Sequence, residues 1–306
     1  MINEELAYKR AHFLEPEERC GVNIDSTKKA TWKCMLDMLE VVIDILERHN
    51  LRYVLEAGSL LGAIRHKGFI PWDDDIDINV PRADYEKLQE ILPKELPEYY
   101  FMQTTLTDPA FCSEFMKIRD VRTCAEDFGY IKNRVKINLG IFIDIFPFDA
   151  VPKSAFSIWW RKCINRRLYS MRFSWSIRKP WLKRMWFNRF LFVILLKIFG
   201  NERMYRFREW LMSSIDLSKC DEISVCPAHF GFVKKQIHRR SWYRQIIKVP
   251  FEYLMANVPA AYDDVLTNKF GDWHRFVRGG SLHGETIHHP DIGYKEFLRL
   301  KYGWEY

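Results

Sequence analysis

With 306 residues, 48% of them hydrophobic and 28% charged, the chain has a globular composition that excludes extended disorder. Its 14 Gly and 13 Pro exclude collagen-like and linker-rich architectures, and seven widely spaced cysteines, an odd number, exclude a dense disulfide scaffold. The net charge of +7 is unevenly placed: Lys153 to Arg208 holds fifteen Lys or Arg against the single acid Glu202, which leaves the rest of the chain acidic.

Residues 1–25 lack a clear period and read as an N-terminal arm. No basic-then-apolar leader opens the arm, so the thiols are expected to be reduced and the protein cytoplasmic. Trp32, Leu36, Leu39, Ile43 and Leu46 recur at spacings of three and four, which predicts a helix over 26–49 with Asp25 or Ser26 as its cap. A short β-forming run, 52–56, follows. Ser59 then stands where it can cap a short helix that Gly68 ends. Residues 75–80 alternate polar and apolar, the period of a strand, and Pro81 stops them. Tyr85, Leu88, Ile91 and Leu92 predict a helix over 82–92, and 115–120 and 141–146 read as further strands. Interleaved helices and strands predict an α+β sheet domain over 26–150. A basic aromatic helical segment over 151–210 and a mainly helical C-terminal part over 211–306 are expected to follow.

Trp72-Asp73-Asp74-Asp75-Ile76-Asp77-Ile78 concentrates the chemistry. On a strand Asp75 and Asp77 project from one face, about 7 Å apart, while Ile76 and Ile78 pack on the other. Such carboxylates repel unless a cation sits between them, and hard oxygen ligands suit Mg²⁺ or Mn²⁺. An EF-hand loop is excluded, because Ile78 stands where its glycine is required. Asp144, inside an apolar run, either caps a loop or pairs with an arginine, or it completes the metal site from a neighbouring strand. Asp149, beyond Pro147, is expected in a loop. Gly58-Ser59 supplies a strand–turn–helix N-terminus of the kind that binds phosphate.

Gly58-Ser59, then Asp75-Ile76-Asp77-Ile78, then Asp144 resembles the nucleotidyltransferase fold. The run from Gly58 through Pro71-Trp72-Asp73-Asp74-Asp75 to Ile78 resembles the signature of the LicD family of phosphocholine transferases, related to the fukutin group. Residues 115–120, 140–149 and Lys269-Phe270-Gly271-Asp272-Trp273 resemble further family blocks. Ala57 departs from the pattern, since members often carry a second glycine there. The resemblance implies a nucleotidyltransferase-like mixed sheet flanked by helices. It also implies transfer of a phospho-alcohol from CDP-choline or another CDP-alcohol to a sugar hydroxyl of a surface polysaccharide, lipopolysaccharide or lipid-linked glycan. Asp75, Asp77 and Asp144 then hold two ions, Mg²⁺ or Mn²⁺, and are the catalytic set. Gly58, Ser59, Arg65, Lys67, Lys117 and Arg119 stand close enough in sequence to bind the diphosphate.

The basic segment interleaves Trp159, Trp160, Trp175, Trp181, Trp186 and Phe187 with Arg and Lys. Its apolar run, 190–196, is too short to span a bilayer, which needs about 20 residues. A basic aromatic helix of this kind lies in the headgroup plane of an anionic membrane. Trp181, Lys183, Arg184, Trp186, Phe187 and Phe190 are the expected contacts, on the inner membrane face. No nucleic-acid-binding module is recognisable, and no nucleic acid is expected as a partner. A sugar-nucleotide glycosyltransferase using Asp75-x-Asp77, and a membrane-bound scaffold with a vestigial site, are the alternatives.

Overall fold

The computed structural model describes residues 2–176, 183–277 and 286–305. The N-terminal arm is structured: α1 (Ile2–Ala11) precedes a hairpin of β1 (Glu17–Arg19) and β2 (Val22–Ile24). Phe13, between them, is buried edge-on against Tyr253. Next come α2 (Ser26–Arg48), β3 (Val54–Leu55), α3 (Ala57–His66), β4 (Asp77–Pro81) and α4 (Arg82–Glu95). They are followed by β5 (Tyr100–Gln103), β6 (Met116–Asp120), β7 (Cys124–Glu126), α5 (Phe128–Lys132) and β8 (Ile141–Ala150). Two long helices, α6 (Ala155–Ser176) and α7 (Lys183–Ser213), form the basic segment. The C-terminal part holds β9 (Glu222–Val225), α8 (Pro227–Phe230), β10 (Ile237–Arg239), β11 (Ile246–Phe251), β12 (Leu254–Pro259), α9 (Tyr262–Phe270), β13 (Ile287–His289) and α10 (Tyr294–Tyr302). It is richer in strands than its pattern indicated, because most of these strands are short and carry no readable alternation.

The mixed sheet is organised around β8. On one side β8 pairs parallel with β4, which pairs antiparallel with β3. On the other side it pairs first with β6, which carries β5, and then with β9, which carries β10. Pro147 sits at the changeover. The Asp144 N–H faces β4, bonding Ile76 O at 2.8 Å, so odd-numbered residues face the other side. Pro147 therefore places its missing N–H in the gap between β6, whose pairing ends at Ile145, and β9, whose pairing begins at Phe148. The strand runs on through a proline that the sequence marked as its end.

One sheet face carries Ile78, Val80, Met116, Ile118, Ile143 and Ile145, all buried against Trp32, Leu36, Leu39, Val42 and Leu46 of α2 and Tyr85 and Leu88 of α4. Each such fully buried side chain stabilises the fold by roughly 2 kcal/mol over exposure. The opposite face carries Asp77, Asn79, Lys117, Arg119, Phe142 and Asp144. By the same parity Asp149 lies on the α4 face. It is strand rather than loop, buried, and bonded by Arg82 through two 2.6 Å hydrogen bonds. This excludes it as a partner of Asp144. All seven cysteines are free.

Candidate active site

The strand register builds the site. Asp77 lies opposite Asp144, and Asp144 opposite Lys117, so one row across β4, β8 and β6 carries all three side chains. Lys117 Nζ donates to Asp144 Oδ1 at 2.5 Å. Asp75 is not on the strand, which begins at Asp77. Asp73, Asp74 and Asp75 come from the turn ahead of it, and one carboxylate oxygen from each converges within 4.8 Å of the others. Trp32 of α2 holds this turn, its indole N–H donating to Asp73 O at 3.1 Å.

These acids feel one another. Burial and then the charges of Asp75 and Asp144 push the Asp77 carboxyl well above the usual carboxylate range, and Lys269 opposes the shift. Burial, Asp75 and Asp74 raise Asp73 to about 8. A cluster of this kind holds either protons or a cation.

The Gly-Ser segment serves the acids by shape. A Cβ on Gly58 would stand 2.5 Å from Asp73 Oδ2, so only glycine lets that carboxylate approach. Ser59 is not a helix cap. The helix starts at Ala57 with Glu56 at its N-cap position, and Ser59 is buried with Oγ accepting the Asp77 N–H at 2.9 Å. Its hydroxyl proton remains available as a donor. Gly68 does not supply the left-handed turn either. Lys67 does, at φ +53°, while Gly68 leaves room for Glu252, whose Oε1 a Cβ would meet at 2.0 Å.

The basic residues expected at the phosphates divide. Lys117 faces Asp144, as above. Arg119 is buried and committed inward, donating to Gln103 Oε1 at 2.5 Å and to Gly140 O at 2.6 Å. Arg65 donates to the carbonyl of Trp273, and Lys67 points to solvent. The Arg65 guanidinium is taken by a backbone carbonyl and that of Arg119 by Gln103 and Gly140, although the charge of Asp144 still acts on Arg119.

Other residues reach the site from distant sequence. Lys269 of α9 donates to Glu56 Oε1 at 2.5 Å, and Glu56 also accepts from Asn79, two residues past Asp77 on β4. Lys28, in the first turn of α2, lies in the field of Asp74 and Asp73, although burial lowers its pKa. Lys269 stands in the 269–273 block, but nothing in the sequence points it toward the acids. Glu56, ahead of the glycine turn, and Lys28 carried no pattern at all. Trp181 lies outside the described residues, as do the side chains of Lys183 and Arg184. Trp186, Phe187 and Phe190 are exposed on α7, together with Phe156 and Trp159 on α6.

Comparison with known proteins gives a consistent picture. The profile of the family described as "LicD/FKTN/FKRP, nucleotidyltransferase domain" matches residues 50–193. "Lipopolysaccharide cholinephosphotransferase LicD" of Haemophilus influenzae is 32% identical over 241 residues, which cover 78% of this chain and 88% of that protein. "Ribitol 5-phosphate transferase FKRP" of Homo sapiens is 37% identical over 59 residues, 19% of this chain and 12% of that one.

Proposed function

The chain belongs to the LicD family, and from that premise we propose that it transfers a phospho-alcohol, phosphocholine or a similar group, from a CDP-activated donor to a sugar hydroxyl of a cell-surface glycan or glycolipid, releasing CMP. The observation that carries this reading is the convergence of Asp73, Asp74 and Asp75 beside the Asp77–Asp144 row. The donor set is all carboxylate, buried enough to be raised by mutual repulsion, and so fits a hard divalent cation. Asp73, Asp75, Asp77 and Asp144 would hold Mg²⁺ or Mn²⁺, two ions in the fullest case, which supply charge stabilisation to the attacking and leaving oxygens.

The chain's own groups do the rest. Ser59 Oγ, anchored by the Asp77 N–H, keeps a hydroxyl proton for a phosphate oxygen. Asp144, held by Lys117, would take the acceptor hydroxyl's proton. The acceptor oxygen forms a bond to the phosphorus that carries the alcohol, the bond from that phosphorus to the bridging oxygen breaks, and CMP departs with that oxygen.

The test is turnover with a panel of CDP-alcohols and UDP-sugars, scored for CMP or UDP. Release of CMP from a CDP-alcohol is expected; release of UDP alone replaces this reading with a glycosyltransferase. Asp75→Asn and Asp77→Asn should each lower turnover about a hundredfold or more, the scale of losing one charge-stabilising group. Activity within about tenfold of the parent would exclude the metal assignment.

We also propose that the reaction takes place at the inner face of an anionic membrane, with α6 and α7 as the peripheral anchor. Exposed Trp159, Trp186, Phe187, Phe190 and Ile198 beside exposed Lys162, Arg166, Lys197 and Arg203 support this reading. No helix among the described residues is long and apolar enough to cross a membrane.

A further inference from the structure

The geometry points to a second ligand site on the catalytic face of the sheet, a cavity that takes a small sugar or nucleotide carrying a phosphate or a carboxylate. Such a site goes beyond the transfer reading and stands without it. The cavity holds about 350 Å³, within the roughly 300–1,000 Å³ typical of ligand pockets. It is bounded by residues of β3, β4, β8, β9 and β11 and by the 3₁₀ turn Arg240–Tyr243. Asn79, on its wall, lies two residues and about 7 Å past Asp77 on the same face of β4. None of Asp73, Asp74, Asp75, Asp77 and Asp144 lines it, so it is separate from the acid cluster.

The charge around this space is of one sign. Arg52, Arg240 and Arg244 line it, and no carboxylate of a described residue does. Asp84 accepts the Arg52 backbone N–H at 3.2 Å and its Nε at 2.8 Å, which fixes the guanidinium and leaves its Nη groups without a hydrogen bond to a described residue. Arg240 and Arg244 make no ion pair with a described residue, although Asp221 and Glu222 line the adjoining groove. With three residues per turn, the 3₁₀ turn brings Arg240 and Tyr243 to one side. Fork-shaped donors that converge on one space fit a phosphate or a carboxylate.

The second observation is an unpartnered acceptor. Asn79 is fully buried, and its Nδ2 donates to Glu56, whose carboxylate can only accept. That contact fixes the amide, and the Asn79 Oδ1 is left buried without a hydrogen-bond partner. An acceptor left so is costly, and a ligand O–H or N–H would satisfy it. Phe148 and Tyr243 make an apolar wall, their ring centroids 4.6 Å apart and the planes inclined by 66°. Tyr243 Oη is paired with His238 Nδ1 at 2.5 Å, so Tyr243 offers its ring and not its hydroxyl.

A ligand that answers all of these features needs an anion for the arginines, a hydroxyl or amino hydrogen for Asn79, and a ring for the aromatic wall. Inorganic phosphate lacks the ring, and a fatty acid lacks the donor hydrogen. A sugar phosphate, a uronate or a nucleotide has every part. Arg52 and Arg244 are exposed, so such a ligand reaches the cavity from solvent without passing the acids.

The experiment titrates the full chain by calorimetry, in EDTA so that the aspartates cannot bind an anion through metal. The probes are glucose 6-phosphate, glucuronate and CMP, with glucose, cytidine and inorganic phosphate as controls. At least one of the anionic probes should bind about tenfold or more tighter than its uncharged counterpart and than inorganic phosphate. Arg240→Met and Arg244→Met should each weaken that binding about tenfold or more. Leu217→Trp keeps every arginine but fills the cavity from its wall, and it should abolish binding. Melting curves confirm folding, and Ile246→Trp, from the same lining, stands in if Leu217→Trp does not fold. Asp77→Asn changes the acid row alone and should bind as the parent does. Binding of the sugar anions without CMP makes the site one for sugars, and the reverse makes it one for nucleotides; either pattern, or both together, supports it. Inorganic phosphate binding as tightly as every probe would reduce the arginines to a patch of surface charge and overturn the proposal. No binding of any probe overturns it too, as does unchanged affinity in the folded arginine or tryptophan variants. Loss of binding in Asp77→Asn would place the anion at the acids and overturn it as well. None of these readouts involves turnover, so failure of the transfer reading would leave them standing, and their failure would leave that reading untouched.

Discussion

Ala57 begins α3 with its backbone in the left-handed region, φ +48°, where a Cβ is strained by about 1–2 kcal/mol. The next residue, Gly58, packs against the Asp73 carboxylate with no room for a Cβ, so the strained position lies directly beside the acid turn. Ala57→Gly should therefore stabilise the protein by about 0.5–1 kcal/mol, less than the full strain because glycine frees the unfolded chain as well. Thermal unfolding checks this; a lower melting temperature would mean that the Ala57 methyl makes a contact worth more than the strain. The departure from the family pattern was visible in the sequence, but its backbone cost was not.

Among the elements, the β11–β12 turn ties three separate pieces together through Glu252. Its Oε1 accepts from Arg19 of β1 at 2.7 Å and from the Phe69 N–H after α3 at 2.9 Å, and Oε2 lies 2.7 Å from Lys9 of α1. Burial alone would raise its carboxyl pKa, but the hydrogen bonds and charges of Arg19 and Lys9 outweigh it and hold the group below its ordinary value. The sign follows. A carboxylate depressed in the folded state adds stability that is complete above the unfolded pKa and is lost as pH falls through the folded one. Unfolding free energy should therefore drop as pH falls below the usual carboxylate range, and Glu252→Gln should flatten that part of the profile. At pH 7 the substitution should cost about 1–3 kcal/mol, because half-buried Arg19 is left with Glu17 as its counter-charge and Lys9 loses its partner. An unchanged acid profile in the folded variant would show that other carboxylates set it.

The α6–α7 hairpin is joined to the catalytic sheet by buried ions. Arg208 of α7 pairs with Glu114 just before β6, and Glu209 pairs with Arg82, which also holds Asp149 of β8. Arg161 and Arg172, which donate to backbone carbonyls, are buried like Arg208, so part of the segment's positive charge is structural and does not face solvent. Removing Glu209 should leave Arg82 under-compensated and cost about 3 kcal/mol in global unfolding. Replacing the whole buried network, Arg82→Met with Asp149→Leu and Glu209→Met, should recover much of that loss, since apolar replacement of all three partners leaves no unpaired charge. Additive losses would show that the three are not coupled.

For the whole molecule the prediction concerns where it works. The hairpin exposes Phe156, Trp159, Trp186, Phe187 and Phe190 while the sheet keeps its acids on the face away from α2. The protein should co-sediment with vesicles containing anionic lipid, less with neutral ones, and less as salt rises, because the Debye length is only about 8 Å at physiological ionic strength. Reversing Lys162, Arg166, Lys197 and Arg203 to Glu should release it, and Trp186→Ser with Phe190→Ser should weaken it without changing the salt slope. Transfer to a small soluble acceptor should persist in both. Indifference to lipid charge would remove the membrane assignment and leave the transfer chemistry untouched.

From sequence alone came the α2 stripe, the strands that carry Asp77 and Asp144, the acidic segment itself and the charge asymmetry of 153–208. These are local: a spacing of three and four, an alternation of two, and a run of like charges each belong to one stretch of chain. Tertiary structure decided what local pattern cannot carry. Register put Asp77, Asp144 and Lys117 in one row and turned Asp149 to the other face, since one residue of strand reverses a side chain. Folding brought Lys269 to Glu56 across 213 positions, and directed the hydrogen bonds of Arg65 and Arg119 to partners other than the acids. A side chain's partner is set by the elements that pack beside it, and for these residues every such element is far away in the sequence.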